Sequence, residues 1–155
     1  MPDPFKDYVI TQVTMMTEEL YQACQRLIPQ LTTRNPPPTR EQLSLMLASP
    51  VSFLFIARHP EFGGEIIGLA TLIVYRVPTG LRGYIEDVVV DERARGKRIG
   101  EALSKACLDR AELEGASQVM LTSNPGREAP NRLYQRMGFE LRKTNVYQYC
   151  FKYCR

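Results

Sequence analysis

The stretch EDVVVDERARGKRIGEAL, Glu86 to Leu103, decides how this chain is read. It opens as an apolar strand ending in Val88, Val89 and Val90, and it closes in a helical pattern. Between the two stand Arg93, Arg95, Lys97 and Arg98, with Gly96 and Gly100. The first turn of a helix has backbone N–H groups without helical acceptors, and it carries a partial positive charge. Phosphate binds such a place well, and glycine lets a ligand come close to the backbone. The junction therefore reads as a phosphate or pyrophosphate cradle. A solvated basic turn, merely shaped by its glycines, fits the charge alone equally well. Neither G-x-x-x-x-G-K-[ST] nor G-x-G-x-x-G is present.

Outward from this stretch the periodicity supplies the remaining elements. Ile99, Ala102, Leu103, Ala106, Cys107 and Ala111 share one helical face, and Gly115 is a natural stop. Upstream, Val51 to Arg58, Ile66 to Val77 and Tyr84 to Val90 read as an antiparallel meander, turning at HPEFGGE and TGLRG. Before them come a strand over residues 8–14 and a helix capped by Thr17, whose face is Leu20, Ala23, Cys24, Leu27, Ile28 and Leu31. Thr39 and Gln42 fit the capping box of a second short helix. Downstream, Gln118 to Thr122 reads as a fifth strand and APNRLYQRMG as a helix ended by Gly138. FELR and VYQYCFKY read as a sixth and seventh strand. Tyr147, Tyr149, Phe151 and Tyr153 alternate along the last one and are expected in the core or at a homodimer interface, with the lining of a ligand pocket as the alternative.

These elements predict one α/β (α+β) domain over residues 1–155, with a mixed, mostly antiparallel sheet of about seven strands and about four helices. The fourth strand, the long helix and the fifth strand form a crossover unit. At 44% apolar and 24% charged residues the composition is that of a globular protein. A net charge of +3 is too small to point to nucleic acid, but it allows one local anion site. No apolar run has the length of a membrane span, and MPDPFKDYVI lacks the pattern of a signal peptide. A cytoplasmic protein without nucleic-acid or membrane partners is expected. Cys24, Cys107, Cys150 and Cys154 have neither zinc-site nor disulfide-framework spacing, so reduced thiols and no metal are expected.

Arg95-Gly96-Lys97-Arg98-Ile99-Gly100 resembles the [RQ]-x-x-G-x-[GA] signature of the GCN5-related N-acetyltransferase (GNAT) superfamily. It departs at Arg98, where that signature usually has glycine. NRLYQRMGFE, Asn131 to Glu140, is similar to the family's later Asn…Tyr…Gly-Phe segment, one residue shorter before Tyr134. The element order is also similar along nearly the whole chain. The resemblance implies a sheet splayed between strands four and five, with acetyl-coenzyme A as co-substrate. Its pyrophosphate would lie on Arg95, Gly96, Lys97, Arg98, Ile99, Gly100 and Glu101. Its pantetheine arm would pair with Val88, Val89 and Val90, one of whose amides would hold the thioester carbonyl. Asn131 or Asn124 matches the family asparagine, and Tyr134 the general acid.

A base must take the proton of the attacking amine. Glu86 and Asp87 lie on opposite faces of a regular strand, and Glu86, sharing a face with Tyr84 and Val88, is the chosen base. The alternatives are an ion pair for Glu86 and simple core packing for Tyr134. The lone His59 reads as a solvated turn residue. Arg34, Arg40, Arg76 and Arg82 fall in segments that line the acceptor pocket in that family, which suits an anionic acceptor. The implied reaction is acetyl transfer to the primary amine of a small molecule, by direct attack of the amine on the thioester. Transfer to a protein lysine or N-terminus, or a non-catalytic coenzyme A-binding module, stays open.

Overall fold

The computed structural model describes residues 7–151. The chain forms two compact units, residues 1–122 and 123–155. The first runs β1 (Val9–Val13), α1 (Glu18–Leu31), α2 (Arg40–Ala48), β2 (Ser52–Arg58), β3 (Ile66–Val77), β4 (Gly80–Val90), α3 (Ile99–Glu114) and β5 (Val119–Met120). Short 3-10 turns at Pro60–Phe62 and Glu92–Ala94 precede β3 and α3. The second unit holds α4 (Glu128–Arg136).

The sheet has five strands in the order β1-β2-β3-β4-β5. The first four are antiparallel neighbours, and β5 runs parallel to β4. The expected sixth and seventh strands are not found among the described residues: residues 139–151 adopt no strand, and Tyr147, Tyr149 and Phe151 are exposed. Tyr153 lies outside the described residues. Alternation marks the face a strand would use, but a strand also needs a hydrogen-bonded neighbour. The TGLRG turn is corrected too. Strands β3 and β4 continue to Val77 and Gly80, which pair across a two-residue turn at Pro78 and Thr79.

Helices α1 and α2 cover one face of the sheet. Leu20, Ala23, Cys24 and Leu27 of α1 and Leu43 of α2 join Leu54, Ile56, Leu69 and Val89 in one buried cluster. The caps read from the sequence are in place: Thr17 on α1 and the reciprocal Thr39–Gln42 box on α2. Helix α3 packs against the other face through Ile99 and Leu103, each of which contributes about 1.5–3 kcal/mol of burial. Gly68 makes that approach close. A Cβ there would stand 2.9 Å from Leu103 Cδ1 and 3.3 Å from Ile99 Cγ2. Gly68 also pairs with Val90, so it seats the first turns of α3 beside the end of β4.

Two irregularities shape that end. Leu69 pairs with Val89 and Thr71 with Glu86, leaving Asp87 and Val88 opposite Ala70 alone. This is a β-bulge, and Asp87 has a φ of 53°. The β4–β5 ladder stops at Tyr84 and Met120. From Ile85 to Val90, β4 therefore has no strand partner on that side among the described residues.

Candidate functional site

The turn between β4 and α3 is built from the outside inward by Asp91. Its side chain is 1% exposed. Its Oδ1 accepts from the backbone N–H and the Nε of Arg93, both at 3.1 Å, and its Oδ2 accepts from Arg93 Nη2 at 2.7 Å. Arg26 of α1 adds a contact at 3.4 Å. Glu65 links both arginines, at 3.0 Å from each. The Arg93 guanidinium holds the Asp91 carboxyl down at a pKa of about 2. Arg93, read as one of four cations at the junction, is thus committed to this brace. The sequence reading passed over Asp91, although an acid directly before a turn of this kind is a capping signal.

Beyond the brace the backbone turns left-handed twice, at Gly96 (φ 80°) and Arg98 (φ 62°). A Cβ at Gly96 would meet nothing within 4 Å, so its glycine answers a backbone need and leaves open space above it. Arg98 is the N-cap of α3 and makes no side-chain capping bond. Instead its guanidinium folds onto Glu101 with two hydrogen bonds, at 2.8 and 2.6 Å. Lys97 Nζ lies 2.6 Å from Glu61 Oε2. Arg95 is exposed and has no ion pair among the described residues. Ile99 is buried beneath the loop, while Gly100 and Glu101 complete the first helical turn.

The end of β4 is the second part. Asp91 N–H donates to Ile67 O at 2.8 Å. Alternation along the antiparallel ladder then turns the Val89 N–H toward β3 and the Val90 N–H toward the side without a strand partner. The bulge also corrects the reading of Glu86. Its register partner is Thr71 and that of Val89 is Leu69, so Glu86 shares its face with Tyr84 and Val89, not with Val88. Protein around the Glu86 carboxyl raises its pKa by desolvation, and the nearby Asp87 charge raises it further. No ion pair to Glu86 is present among the described residues.

Asn124, Asn131 and Tyr134 belong to the second unit. The two asparagines that compete for one role are bonded to each other: Asn131 Nδ2 donates to Asn124 O at 2.9 Å. Asn124 Oδ1 accepts from Gly126 N–H at 2.8 Å. Together they form the turn that leads into α4. Tyr134 is half-buried and meets Phe139 edge to face at 5.7 Å.

His59 is not a solvated residue. Its side chain is 11% exposed, and its Nδ1 accepts from Glu61 N–H at 3.2 Å. Arg40 is bound twice by Glu18 and lies 3.8 Å over the Tyr21 ring. Tyr75 pairs with Arg82 and Arg76 with Leu81, which puts Arg76 and Arg82 on opposite faces of the hairpin. Cys24, Cys107 and Cys150 are free. Burial pushes the Cys24 thiol up to about 11 and Cys107 to about 12, far from a reactive thiolate. Among the described residues no helix is long and apolar enough to cross a membrane.

Comparison with known proteins bears on this arrangement. A family model described as "Acetyltransferase (GNAT) family" matches residues 15–139. An L-methionine sulfoximine/L-methionine sulfone acetyltransferase of Pseudomonas paraeruginosa is 34% identical over 82 residues, 52% of this chain and 48% of that protein. N-alpha-acetyltransferase 30 of Schizosaccharomyces pombe is 35% identical over 71 residues, 46% of this chain and 47% of its own. The matches thus span about half the length of these curated relatives. A solved aminoglycoside acetyltransferase from an uncultured soil metagenomic sample superposes with a TM-score of 0.79, covering 96% of this chain and 99% of its own at 18% identity. That last likeness concerns the fold. With most of its length matched by the family model, the chain belongs to the acetyltransferase (GNAT) family.

Proposed function

We propose that this protein is an acetyl-coenzyme A-dependent N-acetyltransferase acting on the primary amine of a small molecule. The observation that carries the reading is the start of α3. Its N-cap residue Arg98 makes no side-chain capping bond, Gly96 stands at φ 80° with open space above, and Arg95 is an exposed cation without an ion pair among the described residues. A pyrophosphate fits those donors. The N–H of Val90, on the side of β4 without a strand partner among the described residues, suits the pantetheine end.

Bound there, acetyl-coenzyme A supplies an acetyl thioester. The residues of this chain then have distinct tasks. The β4 amides orient the acyl carbonyl and favour the charge that develops on its oxygen. Glu86, with its raised pKa, takes the proton lost by the attacking amine, directly or through water. Tyr134 gives its phenolic proton to the departing sulfur, an assignment resting on its match to the family segment. Asn131 and Asn124 keep the turn before α4 in shape.

Calorimetric titration of acetyl-coenzyme A, followed by free-thiol detection with a panel of small amines and an N-terminal peptide, tests the reading. Binding plus thiol release with a small amine is the expected result. Turnover with the peptide alone would replace the small-molecule acceptor by a protein one. Absence of binding to folded protein would remove the acetyltransferase reading.

A further inference from the structure

The cradle has a feature that its own sequence does not contain. Two left-handed residues, Gly96 and Arg98, flank Lys97. Arginine rarely adopts this conformation, and it persists only where the surroundings impose it. The imposing contacts come from elements remote in sequence. The Tyr8 phenol donates a hydrogen bond to the Lys97 carbonyl, across 89 positions of chain. The Tyr8 ring stands 5.1 Å from the His59 ring, which stands 6.1 Å from Phe62. His59 in turn accepts from the N–H of Glu61, whose carboxylate holds Lys97 Nζ. Backbone and side chain of Lys97 are thus both held by one cluster around the turn after β2.

From this we propose that Tyr8 is a positioning residue for the cradle: its hydroxyl fixes the Lys97 carbonyl and holds the loop in its ligand-ready shape before coenzyme A arrives. The inference rests on reading that loop as the pyrophosphate site. Tyr8 itself touches no ligand and takes no part in proton transfer. Its contribution is the ordering that an unsupported loop would otherwise undergo on binding.

The test uses Tyr8→Phe, which keeps the ring against His59 and removes only the hydroxyl. Thr17→Ala serves as the control, because it removes one hydrogen bond, the cap of α1 on Leu20 N–H, that involves none of Tyr8, His59, Glu61 and Lys97. Acetyl-coenzyme A affinity is measured by calorimetry, and amide hydrogen exchange of residues 96–98 is followed without ligand. Tyr8→Phe is expected to bind about 3- to 10-fold more weakly, the range of one net hydrogen bond. Its loop amides should exchange faster, while the middle of α3 keeps its protection, and Thr17→Ala should match the wild type in both. Wild-type affinity in Tyr8→Phe, or an equal loss in Thr17→Ala, overturns the proposal. If the wild type binds no acetyl-coenzyme A, the functional reading fails, and loop exchange alone decides the positioning role: unchanged exchange in Tyr8→Phe ends it.

Discussion

Helices α1 and α3 begin in opposite ways. Thr17 accepts from the Leu20 N–H at 3.1 Å, and Glu18 and Glu19 follow in the first turn. Helix α2 repeats the solution, with Thr39 and Gln42 bonding reciprocally at 3.2 and 2.9 Å. At α3 the N-cap is a left-handed arginine with no capping bond, and the acid of the first turn, Glu101, is engaged by that arginine. All three termini face the same demand from unpaired backbone donors. Two meet it with hydroxyls from their own sequence and gain stability. The third has an N-cap residue that makes no side-chain capping bond, and under the function proposed above its backbone donors are left for a phosphate.

The sharpest way to break the comparison is Gly100→Glu. If the proposed cradle holds phosphate, a carboxylate placed in the first turn of α3 should weaken acetyl-coenzyme A binding more than about 100-fold, by occupying that place and repelling the anion. Stability should hold or rise, since glutamate is a better helix former than glycine by up to about 1 kcal/mol. Calorimetry and thermal melting on one sample read both signs. Unchanged affinity would make α3 one more structural terminus.

Next in size is a test that the cradle binds while chemistry lies elsewhere. Glu86→Gln should lower kcat/KM about 100-fold at neutral pH, within the usual range for general acid–base groups, and leave acetyl-coenzyme A affinity alone. In the wild type, activity should rise with pH as Glu86 loses its proton, with a midpoint above the ordinary glutamate value of 4.5 because its folded pKa is raised. A matching loss of affinity would return Glu86 to a structural role.

Most of the scaffold was legible because caps and apolar faces are local signals. Thr17, Thr39 and the stripe of α1 need only their own neighbours in sequence. The glycine-rich start of α3 was legible for the same reason. Gly68 was not, because its importance comes from Leu103, which reaches it from another element. The bulge at Asp87 and Val88 is a register property of two strands, so no period within β4 reveals it, and Glu86 changed face relations with it. His59 looked solvated because its ring neighbours, Tyr8 and Phe62, come together only in the fold. The aromatic alternation near Tyr149 misled in the other direction: a pattern fit for a strand found no strand to pair with.

Asp91 sharpens the comparison from between its two poles. It caps the 3-10 turn before α3 with its own side chain, whereas the N-cap residue of α3, Arg98, makes no such bond. Its folded pKa of about 2 lies below the ordinary 3.8. The stabilisation, about 2 kcal/mol, is therefore complete above the unfolded value and fades as pH falls from about 4 to about 2. Asp91→Asn should remove a similar amount at neutral pH and flatten that acid limb in denaturant titrations. A variant as acid-sensitive as the wild type would show that other carboxylates set the limb.

The smallest effect belongs to the capped pole. Thr17→Ala removes one hydroxyl acceptor from α1 and should cost about 1 kcal/mol of stability. The nearby cluster of Leu20, Ala23, Cys24 and Leu27 keeps the helix docked, so folding should survive. Acetyl-coenzyme A affinity should not change, because α1 spends its terminus on its own chain. Paired with Gly100→Glu this gives a double dissociation: one substitution lowers stability without touching affinity, and the other lowers affinity without lowering stability. If Thr17→Ala weakened binding as strongly as it weakened folding, the two kinds of terminus would be coupled through the core, and the division between scaffold and site would fail at its simplest point.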